Sequence, residues 1–491
     1  MIKKLLFRLA ACTAALIITG AAVSACGEPV PGTARITERE AEASSQETFS
    51  VEESRSTDGE GTTASEKEET PAETPTEETA TEESSTEIPP ESGSEADETI
   101  RFFGKKTDAA AAEVNRLTLE DTASGLYDLL AYQAPKRAEV LQQIEKYELP
   151  EAAFYGGKPF SEKKKTAILK NRDLDTLRED PDGTAFIRYA ILTENTDLRA
   201  FPAGKKLAAG EDDAGPDLLQ ETMLPLGAGV ILLHTSADGN WFFVQAENYA
   251  GWIPGSCAAF CTEEEFRNYL ETDCFIVALK PDVEVHGKKL RLGAVLPYAY
   301  QTAHLFVVDF PVRDEASGEF RTVPSFLTKS DRISDGYCTP SFSAVMDAAL
   351  ALEGRPYGWG DENNDYDCSS AVGGIYRTMG ILLPRNTSAM AHFGGSVADV
   401  RTFSAEEKLR FIEERPGVLL LMKGHVMLYL KKVGNEHLVF NETTGYNTAE
   451  GELVPVMSAV TSVLEDLYFS DGNSFVSLIT DVIDPLEGAY R

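Results

Sequence analysis

Cys368 stands where a turn-rich acidic loop gives way to helical spacing, in the run Asp365-Tyr366-Asp367-Cys368-Ser369-Ser370. Ala371, Ile375, Tyr376 and Met379 recur behind it at helical intervals, so the cysteine falls at a helix start. Unpaired backbone N–H groups and the helix dipole favour an anion there, which lowers a thiol pKa toward neutrality and suits a nucleophile. A buried, inert thiol is the other use of such a residue. The nucleophile also needs a base. Gly424-His425 opens a strand in which His425, Met427 and Tyr429 share one face while Val426, Leu428 and Leu430 share the other. His425 is that base, or else a core histidine with a satisfied hydrogen bond.

A third group must orient the imidazole. His437 and Asn441 both lie on the next strand and face the same way. With Lys432 to Asn435 read as the hairpin turn, Asn441 falls next to the position opposite His425. His437 then falls opposite Leu430, about 17 Å along the strand from His425. One further shift, from a bulge or a three-residue turn, puts Asn441 on the face of His425. With that shift the set is Cys368, His425 and Asn441, sufficient for nucleophilic acyl transfer without a metal or an organic cofactor.

These residues need rigid elements. An amphipathic helix is expected over 341–353, with Phe342, Val345, Met346, Ala349 and Leu350 apolar. A second follows from Cys368 to about Met379, and alternating apolar segments occupy 417–430 and 437–441. Upstream, residues 105–180 carry helical spacing at Val114, Leu117 and Leu119 and again at Leu126, Leu129 and Leu130, with Pro135 and Pro150 as interruptions. From Thr196 to Thr262 short β-type runs alternate with Gly- and Asp-containing turns, the pattern of a small barrel. A second β-rich stretch, 274–335, has apolar runs at Phe275–Leu279 and Leu305–Val312.

The first 25 residues read as a secretory signal, with Lys3, Lys4 and Arg8 before a short apolar run. Val23-Ser24-Ala25-Cys26 resembles the bacterial lipobox, which makes Cys26 the expected lipidation site and anchors the chain to the outside of a bacterial membrane. Residues 31–99 hold 21 acidic and 4 basic side chains and almost no large apolar ones, so a disordered, self-repelling tether is expected over 26–99. The net charge of −35 argues against nucleic acid as a partner. The remaining cysteines, Cys257, Cys261, Cys274, Cys338 and Cys368, form no even framework and no Cys-x-x-Cys pair.

Four separated motifs carry a resemblance. Arg355-Pro356-Tyr357-Gly358-Trp359-Gly360, Asp367-Cys368-Ser369-Ser370, Leu383-Pro384-Arg385 and Gly424-His425-Val426 closely resemble the NlpC/P60 family of cell-wall peptidases, over about 340–455. The stretch around Trp241, Tyr249 and Trp252 resembles a bacterial SH3-type domain, and the second β-rich stretch looks like the companion module of some wall peptidases. The implied chain is a multi-domain α+β protein. Its expected parts are a signal (1–25), tether (26–99), helical stabilising region (100–190), two SH3-type barrels (191–262 and 263–337) and a papain-like peptidase domain (338–491). The resemblance implies a cysteine peptidase that cuts peptidoglycan stem peptides, or released muropeptides, between D-isoglutamate and the diamino acid. By the same resemblance Asp367 and Ser369 would hold the substrate's free N-terminal alanine, and Tyr357 would assist the oxyanion. Trp359 would wall the cleft and Tyr249 would close it. On the residues alone Asp367 serves equally as a helix N-cap, Tyr249 and Trp252 as barrel core, and Arg385 as a loop anchor or a carboxylate contact. Asn441 departs from the family's usual histidine, and Gly373-Gly374 from its bulkier residues. Two other readings stay open: a wall-binding lipoprotein with weak or no turnover, and an amidase using the same thiol.

Overall fold

Helix starts in the N-terminal region follow their capping residues. The computed structural model describes residues 100–211 and 215–487; Cys26, the signal and the tether lie outside the described residues. Helix α1 (Ala109–Glu120) starts at Asp108, whose carboxylate accepts from the N–H groups of Ala110 and Ala111. Helices α2 (Arg137–Glu145) and α3 (Glu162–Asn171) follow. The second expected helical run is a loop. Asp121 caps a single tight turn that Gly125 closes at φ +69°, and the chain then turns inward, so Leu126 and Leu129 are buried as loop residues. Leu117, expected on the apolar face of α1, is exposed.

The next part is a seven-stranded antiparallel sheet: β1 (Arg188–Leu192), β2 (Thr196–Arg199), β3 (Gln220–Leu224), β4 (Gly229–Thr235), β5 (Trp241–Gln245), β6 (Ala250–Pro254) and β7 (Ala258–Cys261). Their spatial order is β7-β1-β4-β5-β6-β2-β3. Trp252 is fully buried beside Phe243 and His234, so it is core. Gly251 is needed at the β6–β2 crossing, where a Cβ would come within 2.3 Å of Leu198. Helix α4 (Glu263–Leu270) opens on a reciprocal Thr262–Glu265 capping box. It leads into a five-stranded sheet of β8 (Phe275–Ala278), β9 (Val295–Gln301), β10 (Leu305–Arg313), β11 (Phe320–Thr328) and β12 (Ile333–Asp335), in the order β11-β10-β9-β8-β12.

The C-terminal part packs helices α5 (Phe342–Leu352) and α6 (Cys368–Arg377) on a six-stranded sheet. Its strands are β13 (Ser396–Asp399), β14 (Leu419–Met422), β15 (His425–Val433), β16 (Glu436–Asn447), β17 (Leu453–Val463) and β18 (Asp481–Asp484), in the order β13-β18-β14-β15-β16-β17. Val345, Ala348, Ala349 and Leu352 are the buried face of α5, whereas Leu350 is 58% exposed. The expected stripe was therefore displaced by part of a turn. Val426, Leu428, Leu430 and Phe440 pack beneath the helices, while Met427, Tyr429 and Val439 face the opposite layer. No helix among the described residues is long and apolar enough to cross a membrane.

Candidate active site

Helix α6 is held by its buried face, where Ala371, Val372, Ile375 and Tyr376 are at most 1% exposed. Burial of each large apolar side chain contributes roughly 1.5–3 kcal/mol. Its start is fixed by a capping box: Asp367 Oδ1 accepts from the Ser370 N–H at 2.9 Å, and Ser370 Oγ accepts from the Asp367 N–H at 3.0 Å. Cys368 is thus the first helical residue, with 8% of its surface exposed. None of the five described cysteines is in a disulfide. The lead-in loop is tied to strand β17 by the Tyr357 N–H, which donates to the Met457 carbonyl at 3.0 Å. Gly358 is sterically required, because a Cβ there would lie 2.5 Å from the Glu362 carbonyl oxygen. Tyr357 and Trp359 are both half-buried on this loop.

His425 opens β15, and its Nε2 lies 2.7 Å from Asn441 Oδ1. An amide oxygen only accepts, so Nε2 carries the proton and Nδ1 keeps the lone pair a general base needs. Burial pushes the imidazole below its ordinary pKa, opposed by the Asn441 bond and by the charge of Asp367. Cys368 and Val426, the residue after His425, pack in one apolar cluster, which brings the head of β15 to the start of α6. The hairpin register differs from the sequence-based reading. The turn is Gly434-Asn435 alone, Val433 pairs with Glu436, and His437 lies opposite Lys432, not Leu430. A bulge between Tyr429 and Lys431 shifts the ladder by one, after which Leu428 pairs with Phe440. One step further Met427 faces Asn441, which leaves Asn441 diagonal to His425 on the same side. His437 is engaged elsewhere, its Nδ1 lying 2.5 Å from Glu465 Oε1.

Arg385 binds the loop, helix and barrel together. Its Nε donates to Thr222 Oγ1 at 2.6 Å, Nη1 to Ser369 Oγ at 2.6 Å, and Nη2 to Asp367 Oδ2 at 2.7 Å and Asp361 Oδ2 at 3.1 Å. Asp361 also accepts from Arg291 Nη2 at 3.0 Å and from the Met223 N–H at 3.1 Å. The carboxylate of Asp367 and the hydroxyl of Ser369 are therefore already engaged. Tyr249 lies on the neighbouring strand-end of the first sheet, where its hydroxyl donates to Glu221 Oε2 at 2.5 Å. Glu221 and Asp361 carried no signal in the sequence, since their partners are remote along the chain. Among the described residues no group of three or more His, Cys, Asp or Glu is placed to hold a metal.

Glu442, next to Asn441 on β16, is 1% exposed, and neither of its carboxyl oxygens has a hydrogen-bond partner. Burial, then the charges of Asp367 and Asp365, push its pKa up to about 9. The fold thus prefers the neutral acid, so stability is greatest below the ordinary value of 4.5 and falls as pH rises toward 9. At pH 7 the deficit is about 3 kcal/mol. Glu442→Gln is expected to be more stable by up to that amount at pH 7 and by nothing at pH 4, as read by urea unfolding across that range. An advantage that does not change with pH would show that Glu442 is ionised in the fold.

A papain-like α+β layer beside two antiparallel sheets, with a thiol at a helix start and an imidazole–amide pair on the sheet, defines the class of the site. Residues 354–455 match the NlpC/P60 family, and residues 207–254 match the SH3 domain of SH3b1 type. The chain carries an NlpC/P60 domain preceded by an SH3 domain. It is 39% identical over 72 residues to a protein of Mycobacterium tuberculosis named "Probable endopeptidase", an alignment covering 13% of this chain and 19% of that one. It is 24% identical over 196 residues to the gamma-D-glutamyl-L-lysine dipeptidyl-peptidase of Bacillus cereus, covering 36% of this chain and 56% of that one. The chain thus matches only part of these relatives' lengths. An NlpC/P60 endopeptidase structure from Photobacterium damselae subsp. piscicida shares the fold, with a TM-score of 0.59 and 18% identity over 77% of this chain and 93% of that one.

Proposed function

We propose that this protein is a cysteine peptidase that hydrolyses peptidoglycan stem peptides between D-isoglutamate and the diamino acid. The observation that carries the reading is the 2.7 Å His425–Asn441 bond, beside a helix that begins with Cys368. Nδ1 of His425 takes the thiol proton, and the Cys368 sulfur attacks the amide carbonyl. The protonated imidazole then gives its proton to the leaving amine, and water hydrolyses the thioester with His425 again as base. Asn441 keeps the ring in the productive tautomer. The backbone N–H of Cys368 and the Tyr357 hydroxyl receive the developing oxyanion. Trp359 walls the cleft.

Recognition of the substrate's free amino end falls to the Tyr249–Glu221 pair of the first barrel. Asp367 and Ser369 contribute through Arg385, since a direct hold on the amine requires Arg385 to give way. The substrate is then a short stem peptide with an unblocked amine, in intact wall or as a released muropeptide. Lipid on Cys26 would anchor the enzyme outside the bacterial membrane, with the acidic tether as spacer. The test is digestion of synthetic L-Ala-γ-D-Glu-diamino acid tripeptide beside its N-acetylated form. Mass spectra are expected to show L-Ala-D-Glu released from the free peptide and at least a hundredfold less from the blocked one. An intact stem peptide released from the sugar by muropeptide digestion would instead show an amidase.

A further inference from the structure

An aromatic ledge lies beside the imidazole of His425. The ring of Phe475 meets that of His425 edge-on, with centroids 6.1 Å apart and an interplanar angle of 72°. Phe469 stacks on Phe475 in turn, with centroids 4.5 Å apart and planes tilted by 28°. Phe475 is 3% exposed, whereas Phe469 leaves 36% of its surface to solvent. The stack thus runs from a buried ring at His425 to an open one. Both rings come from a segment C-terminal to residues 354–455, outside the part that matches the NlpC/P60 family.

Backbone hydrogen bonds hold the ledge in place. Asn447, at the end of β16, exchanges two of them with Tyr468, at 2.8 and 3.0 Å, which ties Phe469 to the strand that carries Asn441. Phe469 then opens a tight turn. The Gly472 N–H donates to its carbonyl at 2.9 Å, and its own N–H donates to the Asn473 carbonyl at 2.9 Å. Gly472 supplies the left-handed φ of +83° that closes the turn. The Phe475 N–H returns to the Leu467 carbonyl at 2.9 Å. A ring fixed in this way loses little freedom when a ligand meets it. On the peptidase reading, on which this inference rests, His425 hands its proton to the leaving amine, so the leaving residue lies against the imidazole. We propose that Phe469, backed by Phe475, carries the side chain of that leaving diamino acid, its methylenes lying across the open face of the ring. A diamino acid suits such a surface, because its side chain is an unbranched apolar stem whose polar end stays in water.

Three peptides test this with the full-length chain: L-Ala-γ-D-Glu extended by L-lysine, by L-norleucine or by L-alanine. The lysine and norleucine peptides are expected to share nearly one kcat/KM, about tenfold above that of the alanine peptide. Phe469→Ala should reduce that preference to about twofold or less, and Phe469→Leu should keep most of it. Thermal unfolding at the wild-type midpoint would show that both variants fold. Equal cleavage of all three peptides by the wild type would overturn the proposal and leave the peptidase reading standing. So would a preference for lysine that norleucine does not share, which is the mark of a charge contact. A preference that Phe469→Ala retains in full, with or without a loss of rate, would do the same. Cleavage of none of the three would remove the peptidase reading and the proposal with it.

Discussion

His425→Ala is expected to lower tripeptide hydrolysis by about 10⁴-fold or more, and Cys368→Ala by a similar factor. The two act in one proton-transfer and attack sequence, so the double variant should be little worse than either single one. The His425 ring is oriented by a single bond to Asn441 Oδ1, whose own amide nitrogen is buried without a partner. Asn441→Ala should therefore cost less than His425→Ala and should change the pH profile of kcat/KM, because the tautomer is no longer fixed. Burial lowers the imidazole pKa, so the acid limb of the wild-type profile should lie below the ordinary histidine range. Retention of more than about a tenth of wild-type activity by His425→Ala would remove the histidine from the mechanism.

Arg385→Met is expected to destabilise the protein by about 3–5 kcal/mol and to abolish hydrolysis with it. The guanidinium is 8% exposed and joins Thr222, Asp361, Asp367 and Ser369. Although burial opposes it, the Arg385 and Arg291 charges hold the Asp361 carboxyl below its ordinary pKa; without Arg385 the buried Asp361 keeps only Arg291, and Asp367 loses the guanidinium it pairs with. Arg385→Lys should rescue little, since one ammonium cannot span four acceptors in a plane. Asp367→Asn in the Arg385→Met background should recover part of the loss by removing the carboxylate that faces the vacated site, while Asp361 keeps Arg291. Urea unfolding measures all three. A change of less than about 1 kcal/mol in Arg385→Met would mean that the cluster is solvated and does not hold the barrel to the helix.

The local signals were the legible ones. Acidic residues before Cys368 and apolar spacing after it marked the start of α6, because capping and amphipathicity are decided within a few residues. Asn441 falls on the face of His425 only with a bulge in the hairpin, and the bulge exists at Tyr429–Lys431, although the turn is two residues shorter than the sequence suggests. Leu126, Leu129 and Leu130 misled, because buried loop residues can mimic helical spacing where a left-handed glycine has already ended the helix. From sequence alone Arg385 fits either a loop anchor or a carboxylate contact. Its partners Asp361 and Thr222 lie 24 and 163 residues away, and only the assembled chain brings them to one guanidinium. Glu442 gave no warning, since a polar residue in an alternating strand is read as facing water.

The bulge in the β15–β16 hairpin also limits how that ribbon can vary in length. Residues added at its tip, around Gly434-Asn435, leave the amide of Asn441 diagonal to the imidazole when they extend both strands in pairs or are absorbed by a longer turn. A single residue taken into one strand instead, between the tip and Asn441, would need a second kink to compensate, or would carry Asn441 round to the layer under α6 and leave His425 without its support.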